Sequence, residues 1–300
     1  MRERRTERMG YLFILPFFLF LVLFSFYPLI NTLVLSFHRY DGLLTFKPVG
    51  IKHYAGLITD SKFWTAFIST WQIWLPNILM QLALAFLVSV LFTEVRLKVK
   101  GVGFFRAVFF FPNLVTAASI ALLVNVMLDW KHGALNQMLF GDNIEAYINW
   151  WKEPARAQFI VSIIQTWLWF GYTAIILTTG IQGIPRTYYE AAYVDGASSW
   201  QIFWKITMPL LAPIVTYVVI TSLIGGMQIF DIPYILRAGL SGATGTALTT
   251  MVVYLYDMGF RFHRMGYAAA VSYMLFFLIV ALSLIYFFLT RERKSGENKK

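Results

Sequence analysis

Six stretches of this chain are long, apolar and free of Asp, Glu, Lys and Arg: Tyr11–Phe37, Phe63–Thr93, Ala107–Leu128, Ala157–Pro185, Ile206–Phe230 and Met265–Thr290. Each exceeds the roughly 20 residues that a helix needs to cross about 30 Å of hydrocarbon. The alternating segments of about ten residues that build a membrane barrel are absent. The expected fold is therefore an all-α membrane protein with six transmembrane helices. Composition agrees: the 300 residues are 58% hydrophobic and only 13% charged, against roughly a quarter charged in soluble domains. Mean hydropathy is +0.63.

Charge placement orients the spans. The net charge of +10 comes from cations that bracket the apolar runs, so membrane topology and anionic lipid account for it and nucleic acid does not. Arg2, Arg4, Arg5 and Arg8 stand at one end, and Arg291, Arg293, Lys294, Lys299 and Lys300 at the other. Arg96, Lys98, Lys100 and Arg106 cluster after the second run. The positive-inside rule puts both termini, this cluster and the segment around Glu190 in the cytoplasm. The expected organisation is a cytoplasmic tail at 1–10, a six-helix domain at 11–290 and a second tail at 291–300. The first run is too long for a signal-peptide core, and Phe24-Ser25-Phe26-Tyr27 offers no small-residue cleavage site, so it is a retained helix. Ala238–Tyr256 is also uncharged, but a seventh span would put one basic terminus outside. It is expected to be an external loop followed by a short surface helix.

The connection from Pro185 to Pro209 is polar and sharply broken. Pro185 suits a first helical turn, where a missing N–H costs nothing. A helix over Arg186–Asp195 can then end at Gly196 in the left-handed conformation. Ser198 with Gln201 matches a capping box for a second helix running to Pro209, where the fifth span begins. Ala191 and Ala192 keep one face small, and Glu190 offers a carboxylate to a basic partner.

Glu190-Ala191-Ala192, three residues, Gly196, nine residues, then Ile206-x-x-Pro209 resembles the cytoplasmic loop of ABC importer permeases, with Met208 in place of the usual Leu. Secondary motifs narrow the resemblance to carbohydrate permeases of the maltose and glycerol-3-phosphate type. They are Val49–Tyr54, Gly103–Arg106 leading to Pro112, Gly133–Asn136, Gln228–Asp231 and Gly266–Ala269. The resemblance implies a type I importer architecture in a bacterial or archaeal inner membrane. It implies a second, different permease subunit, two ATP-binding subunits carrying ATP and Mg, an extracytoplasmic solute-binding protein and a carbohydrate cargo. It further implies that Glu190, Ala191, Ala192, Asp195, Gly196, Ile206 and Pro209 form the ATPase-coupling element.

What is missing narrows the choice. No G-x-x-x-x-G-K-[ST] occurs, so ATP phosphates are not cradled by this chain in the P-loop manner, and H-E-x-x-H, G-x-S-x-G and C-x-x-C are absent too. There are no cysteines to form disulfides or bind metal. His38, His53, His132 and His263 fall in loops or at span ends, where imidazoles are usually solvated. No enzymatic site, metal or cofactor is expected.

A solute path needs polar groups inside the bundle, where polar residues usually face protein or a water-filled cavity. The fifth run is the most suggestive: Gly225-Gly226 weakens its helix, and Gln228, Phe230 and Asp231 follow. Asn113, Asn125 and Gln165 are the next candidates. Each also has a packing role open to it, since amides glue helices together. Trp71, Trp74, Trp167 and Trp169 are read as interface anchors or core filling. The rival class is an ion-driven secondary transporter, which calls for intramembrane carboxylates or broken helices in repeated halves. The six runs contain no Asp or Glu.

Overall fold

A computed structural model of the chain describes residues 13–93, 100–240 and 242–297, with side chains as far as 290. Most of the cations behind the charge topology (Arg2 to Arg8, Arg96, Lys98 and the tail from Arg291) lie outside the described residues or side chains. The described regular structure is helical except for one two-stranded hairpin. The chain divides into two compact units: one takes the chain up to Ser61 with Tyr254–Phe277, the other Lys62–Val253 with the chain from Leu278 onward.

The first unit begins with α1 (Phe13–Ser36), a span whose long apolar window buries nothing within the chain. A turn of π-helix at Val22–Phe26 interrupts it just before Tyr27-Pro28. Proline lacks an N–H and its ring crowds the carbonyl four residues back, and one wider turn relieves both problems. Strands β1 (His38–Tyr40) and β2 (Phe46–Pro48) pair antiparallel, with His38 opposite Pro48. Asp41 closes the hairpin by accepting the N–H groups of Leu43, Leu44 and Thr45 at 2.9, 3.1 and 3.0 Å. These bonds hold its carboxyl well below the usual carboxylate range. Helix α2 (Lys52–Thr59) follows. Asp60 then accepts hydroxyls from Tyr254 at 2.6 Å and Tyr267 at 2.7 Å. His53 lies in α2, its Nε2 3.1 Å from the His38 carbonyl, and burial pushes its imidazole pKa down.

The second unit is organised by α3 (Ser61–Thr93) and α7 (Pro154–Gln182). Side-chain hydrogen bonds tie the two helices together along their length. Ser162 Oγ donates to the Ile73 carbonyl at 2.8 Å, Asn77 Nδ2 to Thr166 Oγ1 at 3.2 Å, Gln81 Nε2 to Thr173 Oγ1 at 2.6 Å, and Ser89 Oγ to the Ala174 carbonyl at 2.9 Å. Such bonds bind helices together where apolar surface alone gives little preference over lipid. Apolar clusters flank the seam, one around Ile73, Val161, Leu168 and Ile232, the other around Ala85, Leu177, Ile181 and Leu211.

The third apolar run is not one straight helix. It forms α4 (Val102–Leu114) and α5 (Ala117–Met127), bent by 88° at the break. Pro112 sits in the last turn of α4, Val115 is extended, and Thr116 caps α5 by accepting the Ser119 N–H at 3.3 Å. Gly171 of α7 lets α4 approach at backbone distance, because a Cβ there would collide with the Phe109 carbonyl.

Beyond α5 come α6 (Ala134–Phe140), α7, then α8 (Arg186–Val194) and α9 (Ser199–Ile202). A π turn at Phe203–Thr207 leads into α10 (Met208–Met227). The helix expected to stop at Pro209 therefore runs through it, by the same π-turn device used before Pro28. The rest of the chain forms α11 (Asp231–Leu236), α12 (Gly242–Ala247), α13 (Met251–Tyr256), a π turn at Asp257–Arg261 and α14 (Met265–Glu297). The expectation of a surface helix within Ala238–Tyr256 is overturned. Leu248, Thr250, Met251 and Val253 are completely buried. Thr250 Oγ1 donates to the Ile229 carbonyl at 2.7 Å, and Thr70 Oγ1 accepts the Met251 N–H at 3.0 Å. Thr244 and Thr250 are buried and bond inside the unit, Thr244 Oγ1 donating to the Lys152 carbonyl at 3.2 Å.

Candidate functional site

Between α3, α4, α7, α10 and the link to α11 lies a cavity of about 660 Å³, within the range of small-molecule sites. Helix α7 gives it a stripe at helical spacing: Gln165, Trp169, Tyr172, Thr173 and Ile176. Helix α3 contributes Trp74, Asn77 and Gln81, one turn apart, and α10 contributes Tyr217, Thr221 and Ser222. Trp74 Nε1 donates to the Ser222 carbonyl at 2.9 Å. The α3–α10 approach is tight: a Cβ on Gly226 would strike the Trp74 ring. The break between α4 and α5 opens Asn113, Val115 and Ala117 onto the same wall. Asn113 Nδ2 donates to the Leu168 carbonyl at 3.3 Å.

Of the six residues expected on a solute path, Gln228, Phe230, Asp231, Asn113 and Gln165 line this cavity. Asn125, two turns into α5, does not. Trp74 and Trp169, read as anchors or core, both face it. Trp74 is 7% exposed and fills core as well, whereas Trp169 is 45% exposed. Asn77, Gln81, Tyr172 and Tyr217 escaped sequence reasoning. The signal was present, because polar and aromatic residues recur at i, i+4 and i+7 or i+8 within uncharged runs.

The second feature stands below the far ends of α7 and α10. Helix α8 ends in a Schellman arrangement: Ala197 N–H donates to the Ala192 carbonyl at 2.9 Å and Gly196 N–H to the Tyr193 carbonyl at 3.1 Å. Gly196 adopts φ +75°, which glycine reaches without the Cβ penalty. The capping box is complete, with Ser198 Oγ accepting the Gln201 N–H at 3.3 Å and Gln201 Oε1 accepting the Ser198 N–H at 2.8 Å. Ala192 is buried, while Glu190, Ala191, Asp195, Gly196 and Pro209 are exposed and Ile206 is half-buried. Among the described residues, no cation pairs with Glu190. On the inner face, Tyr189 packs against the cluster of Ala85, Leu177 and Leu211, with its hydroxyl 3.3 Å from Thr207 Oγ1. Phe203 meets Phe86 edge-on at 6.0 Å. The hinged pair is thus packed on the feet of the helices whose upper parts line the cavity.

Among the described residues no three His, Cys, Asp or Glu side chains converge as metal donors. A cavity walled by amides and aromatics in a multi-span bundle, with a hinged helix pair at its foot, is the arrangement of a membrane permease.

The chain belongs to the family of binding-protein-dependent transport system inner membrane components, whose pattern matches residues 85–294. It is 32% identical over 293 residues to the lactose transport system permease protein LacF of Rhizobium radiobacter, covering 97% of each chain. It is 28% identical to the trehalose/maltose transport system permease protein MalF of Thermococcus litoralis, covering 97% of this chain and 96% of that one. In fold it resembles a chain of the bacterial alginate ABC transporter solved with an alginate pentasaccharide-bound periplasmic protein. The TM-score is 0.80 at 20% identity, covering 97% and 96% of the two chains. The architecture is that of an ABC importer permease: the described residues hold five helices long and apolar enough to cross a membrane, and a sixth span where the bent pair α4 and α5 counts as one.

Proposed function

We propose that this chain forms half of the translocation path of a carbohydrate importer, coupled through residues 185–209 to a separate ATP-hydrolysing subunit. One observation carries the reading: an exposed, glycine-pivoted helix pair is packed through Tyr189 and Phe203 onto the helices whose other ends wall the cavity. A push on α8 would move α7 and α10, and with them the cavity walls. The sugar class is supported by the relatives named for lactose and for trehalose and maltose, and by a wall of amides and aromatic rings suited to hydroxyls and sugar faces.

In this scheme the 185–209 end and both basic tails face the cytoplasm. ATP and Mg reside on two ATPase subunits, with Glu190 meeting a basic group in their groove. A loaded binding protein docks on the opposite end, and a second permease subunit, the product of another gene, completes the path. The test is to co-purify the chain with its ATPase and measure binding-protein-stimulated ATP hydrolysis. Glu190→Ala together with Gly196→Pro should abolish stimulation, because proline cannot adopt φ +75°. Undiminished assembly and stimulation in that double variant would sink the coupling assignment.

A further inference from the structure

The charge and hydrogen-bonding character of the cavity wall select among sugars. None of the residues lining it is Lys, Arg or His, and Asp231 is its one ionisable carboxyl. Asp231 is exposed and has no ion-pair partner among the described residues. Arg237, the next cation along the chain, is engaged elsewhere: it stacks over the Tyr234 ring at 5.4 Å and donates to Thr249 Oγ1 at 3.3 Å.

Three of the lining amides are tied into the bundle. Asn77, Gln81 and Asn113 each commit an N–H to a neighbouring helix, to Thr166, Thr173 and the Leu168 carbonyl respectively. Their side-chain oxygens accept nothing from the described residues. The Trp74 N–H is likewise taken by Ser222. What remains for a ligand is a wall that offers acceptors and also donors, among them Gln165, Gln228, Trp169, Tyr172 and Tyr217, with one negative charge and no cation. Hydroxyls can donate to it and accept from it, and an ammonium group can pair with Asp231; a carboxylate would meet neutral donors but no cation, and would be repelled by Asp231.

We propose that the cavity discriminates by charge, admitting neutral and amino sugars and rejecting sugar acids, with Asp231 as the specificity-determining residue. This rests on the cavity being the sugar path, as proposed above. It also separates the chain from the fold relative solved with alginate, an acidic polysaccharide, in whose company fold alone would place it.

The test uses the assembled transporter in nanodiscs without its binding protein, so that the binding protein's own selectivity does not intervene. Saturation-transfer NMR reports contact with three probes in turn: lactose, a mannuronate disaccharide and a glucosamine disaccharide. Lactose and the glucosamine disaccharide should both give signal that Trp169→Ala reduces, and the mannuronate signal should be at least about tenfold weaker, a small part of what an unpaired charge costs. Asp231→Asn, which keeps the shape of an exposed side chain, should bring mannuronate near lactose and weaken the glucosamine disaccharide. Equal signals from mannuronate and lactose in the unmodified chain, or selectivity untouched by Asp231→Asn, overturns the inference while leaving the sugar path standing. No signal from any probe overturns the sugar path itself.

Discussion

At the scale of single residues, adjacent glycines illustrate how little composition alone says. Gly225 and Gly226 both lie in the last turn of α10, yet a Cβ at Gly225 meets nothing within 4 Å, whereas one at Gly226 strikes Trp74. Gly226→Ala should therefore destabilise by about 1–3 kcal/mol, and Gly225→Ala should be neutral or stabilise by up to about 1 kcal/mol. Thermal unfolding of the two variants in the same detergent checks the contrast. Asp41 gives a pH-dependent case outside the spans. Its folded pKa is depressed, so its contribution is complete above the ordinary carboxylate range and is lost as pH falls through that range and below it. Hydrogen exchange at Leu43, Leu44 and Thr45 should be slow at pH 5 and accelerate there in Asp41→Ala, the difference between the two shrinking as strong acid protonates Asp41. Unchanged exchange in that variant would remove Asp41 as the closure of the hairpin.

At the scale of elements, the turn and the second cap of the 185–209 pair were legible, whereas Pro185 proves to be the N-cap of α8 and the helix continues through Pro209. Proline, glycine and the Ser198–Gln201 spacing each dictate a local backbone state, and the structure has the Schellman turn and the complete capping box there. Elements governed by tertiary contacts were not legible. Hydropathy reads Ala107–Leu128 as one run, because a break costs nothing in apolar composition. The bend shows only in Pro112 and in the cap at Thr116. Thr116→Val should cost about 1 kcal/mol in thermal unfolding, and no loss would mean that Pro112 and packing alone hold the 88° turn. Likewise, the buried seat of α13 follows from Thr70 and Thr250 meeting partners far away in sequence. No local pattern announces such pairs. The cavity stands between these cases: its polar stripes were visible, but which faces of α3, α7 and α10 converge depended on packing.

At the scale of the whole molecule, family membership, the hinged pair and the cavity form one chain of cause. The helices that wall the cavity are the ones on which α8 and Phe203 pack, so in the proposed scheme a movement of the loop would pass to the cavity walls. The six apolar runs carry no carboxylate, the group an ion-coupled transporter would call for there, and the proposed scheme instead brings the energy in through the loop. Uptake of radiolabelled sugar into proteoliposomes, reconstituted with the partner permease, the ATPase subunits and the loaded binding protein, tests this most directly. Uptake should require ATP on the 185–209 side, persist when proton and sodium gradients are collapsed, and vanish in Gly196→Pro. Uptake driven by an imposed ion gradient without ATP, and indifferent to Gly196→Pro, would contradict it.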